Sequence, residues 1–389
     1  MHKKIVLGIA IALVCILLGG IAYHETHLSY DEYVVQGQKK ADTQETEEES
    51  TLVFPKNYQE EVTPYLNFDA EVVTSPEFDP NEIYDTTATL KDNDGPTMRD
   101  KLMKKSGDIV TEEFDDTDRE GNAVTGYTFT EDEDYLLVRP NYIGYTEGDL
   151  LYAFYEVFFF YEVAPYDNRA EFFEAADLAD FSRTDAWEYV EMALGDEVPG
   201  LDSFFSFCAP KEVLNEQLDR AIRTLDYQDP YYDEYTEKEE GYYFYCAQNV
   251  DGIYVYPREY MDEYNPRFCD FPNFTVYVTR DGVASVMMNE VYAFAQSENK
   301  LTLCDFSKIV DTARAHYEQV ATEEITLEVT RFELLYFPLK VEGGQYRLVP
   351  IWAVTAEWDW RTGENGNTEK YIIAINAQTG EEMPELFYY

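Results

Sequence analysis

Alternating apolar residues in the last third of the chain constrain its fold more than any other feature. Four side chains recur at every second position and would share one face of an extended strand, namely Trp352, Val354, Ala356 and Trp358. In the preceding run, ITLEVTRFELLYF, the alternation slips by one residue between Val329 and Phe332, as a β-bulge would cause. We expect antiparallel strands here, with Pro350 at an edge or a bulge because it lacks an N–H donor.

Hairpin and helix signals surround these strands. Asp281-Gly282 separates two alternating runs and predicts a hairpin. A helix is predicted between Ser182 and Gly195, and Pro210 suits the first turn of a second helix. A third predicted helix presents an apolar stripe at helical spacing, formed by Phe306, Ile309, Val310, Ala313 and Tyr317.

The order of these signals predicts an α+β protein. Its parts are an N-terminal transmembrane anchor, a β-rich N-terminal region and two units in which a helix packs on an antiparallel sheet. Leu178–Arg183 (LADFSR) and Leu303–Lys308 (LCDFSK) each precede a helix and then strands, which indicates a duplicated unit. The predicted boundaries are 1–22 for the anchor or signal, 23–50 for a flexible acidic tether, 51–169 for the β-rich region, 170–298 for the first unit and 299–389 for the second.

The N-terminus predicts where the chain resides. An uncharged run from Ile5 to Ala22 follows Lys3 and Lys4, and its length suits a single membrane-spanning helix. With the lysines retained in the cytoplasm, residues 23–389 would lie outside the cell, anchored to the cell membrane. The alternative is a signal peptide cleaved near Ala22, which would give a secreted protein.

The net charge of −49 narrows the classes of partner. It results from 29 Lys and Arg residues against 78 Asp and Glu residues. Such a surface repels nucleic acid and other polyanions, so we expect no nucleic-acid binding. Proteins, peptides, cations and neutral glycans remain as partners. The 34 Tyr and 24 Phe residues argue against global disorder.

Few side chains in the sequence are suited to catalysis, disulfide formation or metal binding. Beyond the anchor the chain has four cysteines, which permit either disulfides or buried thiols: Cys208, Cys246, Cys269 and Cys304. His316 is the one histidine expected in a folded domain. The sequence therefore offers almost no histidines from which a catalytic triad or a two-histidine metal site could be built. No cofactor fingerprint is present. We therefore predict no catalytic, cofactor-binding or metal-binding residue.

One segment, DDTDREG, resembles the start of a calcium-binding EF-hand loop. The matching positions are Asp116, Asp118, Glu120 and Gly121. The twelfth position of such a loop is Tyr127 here, where a bidentate Glu is required. A hairpin turn at residues 120–122 explains the same residues, and we prefer this interpretation.

The closing strands carry a family resemblance. YRLVPIWAV followed by EKYIIAINAQTGEEM resembles the end of PepSY-like units, and duplicated versions of such units occur in YycH/YycI-type proteins. Those proteins are anchored by one N-terminal helix and act outside the cell on a sensor kinase. The chain also resembles uncharacterised exported lipoproteins of gut Firmicutes. Within the motif, Asn376 suits an Asx-turn and Gly380 a positive φ, so a structural role explains the final turn.

Two functions follow as expectations. The first is an exported, membrane-tethered, non-enzymatic binding or regulatory protein of the cell envelope, and the resemblance implies another envelope or membrane protein as its partner. The alternative is a carboxylate-based enzyme that acts on glycans of the cell surface. A carboxylate pair at the bottom of one deep cleft would favour the enzyme, whereas a shallow saddle between similar domains would favour the binding protein.

Overall fold

Strands dominate the protein. The computed structural model describes residues 52–103, 110–117, 123–129, 135–139, 142–147, 177–216, 234–256, 274–341, 345–359 and 368–383. The strands are β1 (Asn57–Thr63), β2 (Leu66–Val73), β3 (Tyr84–Leu90), β4 (Val110–Thr117), β5 (Ala123–Phe129), β6 (Tyr135–Arg139), β7 (Tyr142–Thr146), β8 (Leu201–Ala209), β9 (Gly241–Val250), β10 (Ile253–Val255), β11 (Phe274–Thr279), β12 (Gly282–Asn289), β13 (Tyr292–Lys300), β14 (Leu327–Lys340), β15 (Gln345–Asp359) and β16 (Thr368–Asn376). The helices are α1 (Gly95–Leu102), α2 (Arg183–Leu194) and α3 (Phe306–Val320), and residues 211–216 are also helical.

One hydrogen-bonded network connects the described strands. Its main path runs β13-β3-β15-β14-β10-β9-β11-β12-β7-β6-β5-β4, while β16 pairs with β15, β8 with β9, and β1 with β2, which in turn pairs with β14. We call β4–β9, β11 and β12 the first half of the sheet, and the remaining strands the second half. The three-residue strand β10 joins the halves, since it is antiparallel to β9 and parallel to β14.

Helix α3 covers one face of the second half of the sheet. The predicted inner face of this helix is confirmed, because the same five residues, Phe306, Ile309, Val310, Ala313 and Tyr317, are its buried ones. The Phe306 ring lies 5.3 Å from the fully buried Trp352 ring and 5.2 Å from the Phe332 ring. Leu335, Phe337 and Ile351 are buried on the opposite face. These strands are therefore apolar on both faces, as central strands are.

Helix α2 covers the first half of the sheet and confirms the predicted helix between Ser182 and Gly195. The Ser182 hydroxyl accepts a hydrogen bond from the N–H of Asp185, and the Asp185 carboxylate accepts one from the N–H of Ser182. This reciprocal pair is a capping box, which satisfies donors at the helix start. The buried face of α2 includes Ala186 and Val190 and packs on β11 and β12.

Two strand predictions are also confirmed. Strands β11 and β12 form an antiparallel hairpin around Asp281, with Thr279 opposite Gly282. The register of β14 against β15 shifts between Val329 and Arg331, at the predicted bulge. Pro350 lies within β15, one residue before the ladder with β16 begins, so its missing donor falls at the end of that ladder.

The predicted α+β class, with two units of a helix packed on an antiparallel sheet, was wrong. Sixteen described strands share one network, whereas α1, α2 and α3 have only 8, 12 and 15 residues. Strands of the expected N-terminal region join this network, since β2 is parallel to β14 and β7 is antiparallel to β12. Local periodicity reveals elements but not long-range pairing, and for that reason it missed the continuous sheet.

The two similar six-residue runs also differ in structure. In the first run, Ser182 caps the helix, which begins at Arg183, the sixth residue of the run. In the second run, α3 already begins at Phe306, the fourth residue. The runs therefore do not hold equivalent positions at the start of their helices.

The predicted membrane anchor and tether, residues 1–22 and 23–50, lie outside the described residues. Within the described ranges, no helix is long and apolar enough to cross a membrane. The described residues thus give no support to the prediction of a single-span, signal-anchored protein localised in the cell membrane.

Candidate functional site

An acidic cleft lies where the two halves of the sheet meet. Its volume is about 490 Å³. Three segments form its wall: the connection from β2 to β3, the start of β8, and the turn between β9 and β10. Among the described residues, its lining contains no Lys or Arg but five carboxylic acids, Glu77, Asp79, Glu82, Asp202 and Asp251. Field lines from like charges are focused in a concave site, so the cleft attracts cations.

The turn between β9 and β10 shapes one side of this acidic cleft. Asp251 and Gly252 have φ values of 55° and 75°, and the flanking Val250 and Ile253 are paired. A two-residue turn with positive φ at both positions is type I′, for which Asp-Gly is a preferred sequence. A Cβ on Gly252 would lie 2.6 Å from Cα of Phe78. The turn therefore supports the segment that carries Glu77.

Hydrogen bonds hold Asp202 in place within the cleft. Its Oδ2 accepts from the Tyr254 hydroxyl at 2.9 Å and from Nδ2 of Asn249 at 3.3 Å. Burial, together with the charge of Asp202, raises the pKa of the Tyr254 hydroxyl. The hydroxyl therefore stays protonated and remains a donor, which leaves the other carboxylate oxygen for a ligand.

Strand β13 holds two more carboxylates of the cleft. Nε2 of Gln296 donates to Oδ2 of Asp251 at 2.6 Å. Nζ of Lys300 donates to Oε1 of Glu82 at 2.7 Å, and the Tyr84 hydroxyl donates to Oε2 of Glu82. These donors lower the pKa of the Glu82 carboxyl, the hydrogen bond from Lys300 most of all. Glu82 is thus a permanent negative charge at neutral pH.

The oriented carboxylates of the acidic cleft suit the binding of ammonium or guanidinium groups. Asp79 is oriented in a similar way, because its Oδ1 accepts from the N–H of Asn81 at 2.9 Å. Carboxylates that are already oriented bind Lys and Arg side chains through charge-assisted hydrogen bonds. Among the described residues, no group of three or more acidic, His or Cys side chains is placed to hold a metal ion.

A second hollow, of about 880 Å³, is less suited to recognition. It lies beside residues 211–216 and 234–238, and both acidic and basic side chains line it. Lys211 and Lys238 belong to this lining, and Nζ of Lys211 is 2.9 Å from Oε1 of Glu237, so basic groups offset the negative charge from within the hollow. In the acidic cleft, by contrast, the basic partner of Glu82 is Lys300, which is not among the described lining residues. The acidic cleft is therefore the stronger candidate.

His316, the histidine singled out from the sequence, lies between a carboxylate and a phenol. Its Nδ1 is 2.9 Å from Oε1 of Glu382, and its Nε2 is 3.0 Å from the Tyr371 hydroxyl. Carboxylate, imidazole and hydroxyl follow the order of a hydrolytic triad. However, none of the three lines either hollow described above. Their shared role is to fasten the C-terminal segment to α3.

The final NAQTG turn has the local geometry that was predicted for it. Oδ1 of Asn376 accepts from the N–H groups of Gln378 and Thr379 at 2.8 and 3.0 Å, which forms the Asx-turn. Gly380 has φ 67°, and its carbonyl accepts from the Thr312 hydroxyl of α3 at 2.6 Å. The turn therefore docks β16 onto the helix.

The cysteines are divided between the core and the undescribed part of the chain. Cys208, Cys246 and Cys304 are free thiols. Burial raises the pKa of all three, that of Cys304 to about 11, which makes them poor nucleophiles. Cys269 lies outside the described residues, so a disulfide that involves it stays a prediction.

The calcium-loop candidate is flanked by strands rather than helices. Asp116 lies in β4 and Tyr127 in β5, and these strands are antiparallel, with Thr117 opposite Ala123. This pairing is what a hairpin requires of its two strands, whereas the predicted turn at residues 120–122 lies outside the described residues. The remaining candidate ligands, Asp118, Glu120 and Gly121, lie outside the described residues.

Sequence reasoning missed the acidic cleft. One signal was present, because Asp251-Gly252 lies between apolar runs in the same way as Asp281-Gly282, where the hairpin was predicted. No local pattern marks Asp202 or the acids between β2 and β3. Their proximity arises from the pairing of β10 with both β9 and β14.

Comparison with known proteins gives information on the fold. No family model matches the chain, and no curated protein matches it. Among solved structures, the crystal structure of an uncharacterized protein from Eubacterium rectale is similar, with a TM-score of 0.61 and 16% sequence identity. The match covers 85% of this chain and 93% of that chain. This likeness shows a shared fold alone, and it gives no support for a PepSY-like or YycH/YycI-type relationship.

Proposed function

We propose that this protein is a non-enzymatic binding protein whose acidic cleft takes a Lys- or Arg-bearing segment of a protein or peptide partner. The observation that carries the proposal is the composition of the cleft: of the residues that the structure describes, five carboxylates and no basic side chain line about 490 Å³. The net charge of −49 extends the same negative field beyond the cleft. A basic partner would be steered toward the protein by this field.

The fixed orientation of the carboxylates supports binding. Asp202, Asp251 and Glu82 each accept hydrogen bonds from neighbouring side chains. A site that is oriented before the ligand arrives loses less conformational entropy on binding. Glu82 is already paired with Lys300, but the other four acids still outnumber what one ammonium group requires, so we propose a segment with more than one positive charge.

The glycan-active enzyme remains the less favoured function. A glycoside hydrolase needs one carboxylic acid that stays protonated near neutral pH, usually through apolar surroundings. The pKa of Glu82 moves in the opposite direction, because Lys300 and Tyr84 donate hydrogen bonds to its carboxylate. This favours a binding role for that side chain over a role as a general acid.

Calorimetric titration of the full-length chain with two amidated heptapeptides tests the proposal. One alternates Lys and Thr, and the other replaces each Lys with Glu. We expect saturable binding of one Lys peptide per chain, an affinity that falls as salt concentration rises, and no binding of the Glu peptide. Absence of saturable binding, or equal affinity for both peptides, would overturn the proposal.

A further inference from the structure

We infer that the partner segment binds as an extended strand, which adds to the outer edge of β13 and extends its basic side chains into the acidic cleft. This inference rests on the proposed function and specifies how the segment is recognised. Addition of a peptide strand to an exposed sheet edge is a common recognition mode, in which main-chain hydrogen bonds supply affinity and side chains supply specificity.

β13 is an edge strand in the described part of the chain. It ends the main path of the sheet and pairs there with β3. Its first outward-facing residue, Tyr292, is already bonded by a side chain. Nε2 of Gln248 donates to the Tyr292 carbonyl at 2.9 Å, and Oε1 of Gln248 accepts from the Tyr292 N–H at 2.8 Å. The Gln248 amide thus imitates a neighbouring strand at one residue of this edge.

The alternation of main-chain directions shows which groups of β13 face outward. The carbonyls of Val291 and Ala295 point to β3, because they accept from the N–H of Lys91 at 2.7 Å and from the hydroxyl of Thr87 at 3.2 Å. In an antiparallel pair, successive residues direct their main-chain groups to opposite sides. Phe294 and Gln296 therefore direct their N–H and C=O groups outward, in phase with Tyr292.

The outward edge is accessible. Ala293 and all residues from 295 to 300 are exposed, and Phe294 is half-buried. The register against β3 shifts between Gln296 and Lys300, so a bulge interrupts the ladder there. Bulges limit pairing along an edge. The open part of the edge is therefore short and centres on Phe294 and Gln296, which suits a peptide segment rather than a long strand of a second sheet.

Charge complementarity identifies the occupant. Gln296 and Lys300 of β13 contact Asp251 and Glu82, so the strand runs along the acidic cleft. A strand added to β13 places every second side chain on the same face. Lys or Arg at those positions can reach the cleft carboxylates. A second copy of this chain is a poor occupant, because each copy carries a net charge of −49.

A pair of variants at one position tests the inference. Gln296→Pro removes the outward N–H of this residue. The main-chain hydrogen bonds to β3 are formed by the residues on either side of it, so they persist. Proline is tolerated at such edge positions. Gln296→Ala keeps the N–H and, like the proline variant, lacks the amide contact to Asp251. We expect the alternating Lys–Thr heptapeptide to bind Gln296→Pro about fivefold more weakly than Gln296→Ala, as loss of one main-chain hydrogen bond implies.

Amide hydrogen exchange supplies a second readout on the unmodified chain. We expect the N–H groups of Phe294 and Gln296 to exchange more slowly once the Lys–Thr peptide is bound. If the peptide binds, but both variants have equal affinity and neither amide gains protection, strand addition is wrong and the proposed function stands. If the peptide does not bind the unmodified chain, the proposed function fails and this inference fails with it.

Discussion

The side-chain amide of Gln248 forms two hydrogen bonds with the main chain of Tyr292, and a neighbouring strand would form the same two. Nε2 of Gln248 also donates to the carbonyl of Pro199 at 2.8 Å. Gln248 is only 2% exposed, so water cannot easily replace these bonds. The contact joins β9, in the first half of the sheet, to β13, in the second half.

Gln248→Ala should destabilise the protein because it removes all three of these hydrogen bonds, two of them to the buried main chain of Tyr292. We expect the free energy of unfolding to fall by about 2 kcal/mol, within the usual range for unsatisfied buried groups. Urea denaturation followed by tyrosine and tryptophan fluorescence measures it. Gln296→Ala, at an exposed position, should change the same quantity by less than about 0.5 kcal/mol. Similar effects of both changes would contradict the role of Gln248.

Two buried tyrosines in the core beneath α3 should respond differently to loss of their hydroxyl. The Tyr317 hydroxyl lies 2.7 Å from the Val354 carbonyl and 3.1 Å from the Tyr371 carbonyl. The buried Tyr336 hydroxyl has no hydrogen-bond partner in the described structure. We expect Tyr317→Phe to lower the free energy of unfolding by about 1–2 kcal/mol, and Tyr336→Phe to leave it unchanged or raise it. Denaturant unfolding of both variants tests this, and the reverse order would refute it.

Acid should weaken the contact between α1 and the segment after α2. Oε2 of Glu197 is 2.9 Å from Nζ of Lys91, and Oε1 is 2.9 Å from Nζ of Lys101. Hydrogen bonds from Lys91 and then Lys101 lower the pKa of the Glu197 carboxyl below 4.5, its value in the unfolded chain. The resulting stability is present above about pH 4.5 and is lost as the pH falls through the lower, folded-state pKa.

The corresponding measurement compares the unmodified chain with Glu197→Gln. At pH 7 we expect the variant to be less stable by on the order of 1 kcal/mol, since these side chains are partly exposed. The difference should shrink between pH 5 and pH 3. Glu188→Gln, at an exposed position on α2, serves as the control. A difference that stays constant or grows on acidification would contradict the assignment.

Gly252→Ala should distort the acidic cleft. The residue has φ 75°, which a side chain disfavours, and an added Cβ would lie 2.6 Å from Cα and 2.7 Å from N of Phe78. We expect a loss of about 1–3 kcal/mol in the free energy of unfolding. The affinity for the Lys–Thr peptide should also fall, because the segment with Glu77 must move. A variant that keeps both properties would show that the turn does not support the cleft.

Individual elements could be predicted from the sequence where their pattern is local. The buried stripe of α3, the capping residue Ser182 and the hairpin at Asp281-Gly282 all depend on residues a few positions apart. The fold class could not be predicted, because it depends on parallel pairing of β14 with β2 and with β10. A three-residue strand such as β10 has no periodicity to detect.

The candidate site could not be predicted from the sequence for the same reason. Glu77, Asp202 and Asp251 are distant in sequence, and in a chain with 78 acidic residues no local excess marks them. They meet only because β10 joins the two halves of the sheet. The site thus depends on pairing between strands that are distant in sequence. The geometry of the NAQTG turn depends only on neighbouring residues, and it was predicted correctly from the sequence.

The most direct test of the central claim compares two double variants that remove the same charge. Asp202→Asn with Asp251→Asn alters the acidic cleft, whereas Glu188→Gln with Glu191→Gln alters exposed residues of α2. Calorimetric titration with the Lys–Thr heptapeptide measures both. If the cleft is the binding site, the first variant should bind at least about tenfold more weakly than the unmodified chain, since it loses two charge-assisted contacts, and the second should bind almost as tightly. Equal losses in both variants would show that net charge alone attracts the peptide, and would contradict the assignment of the cleft.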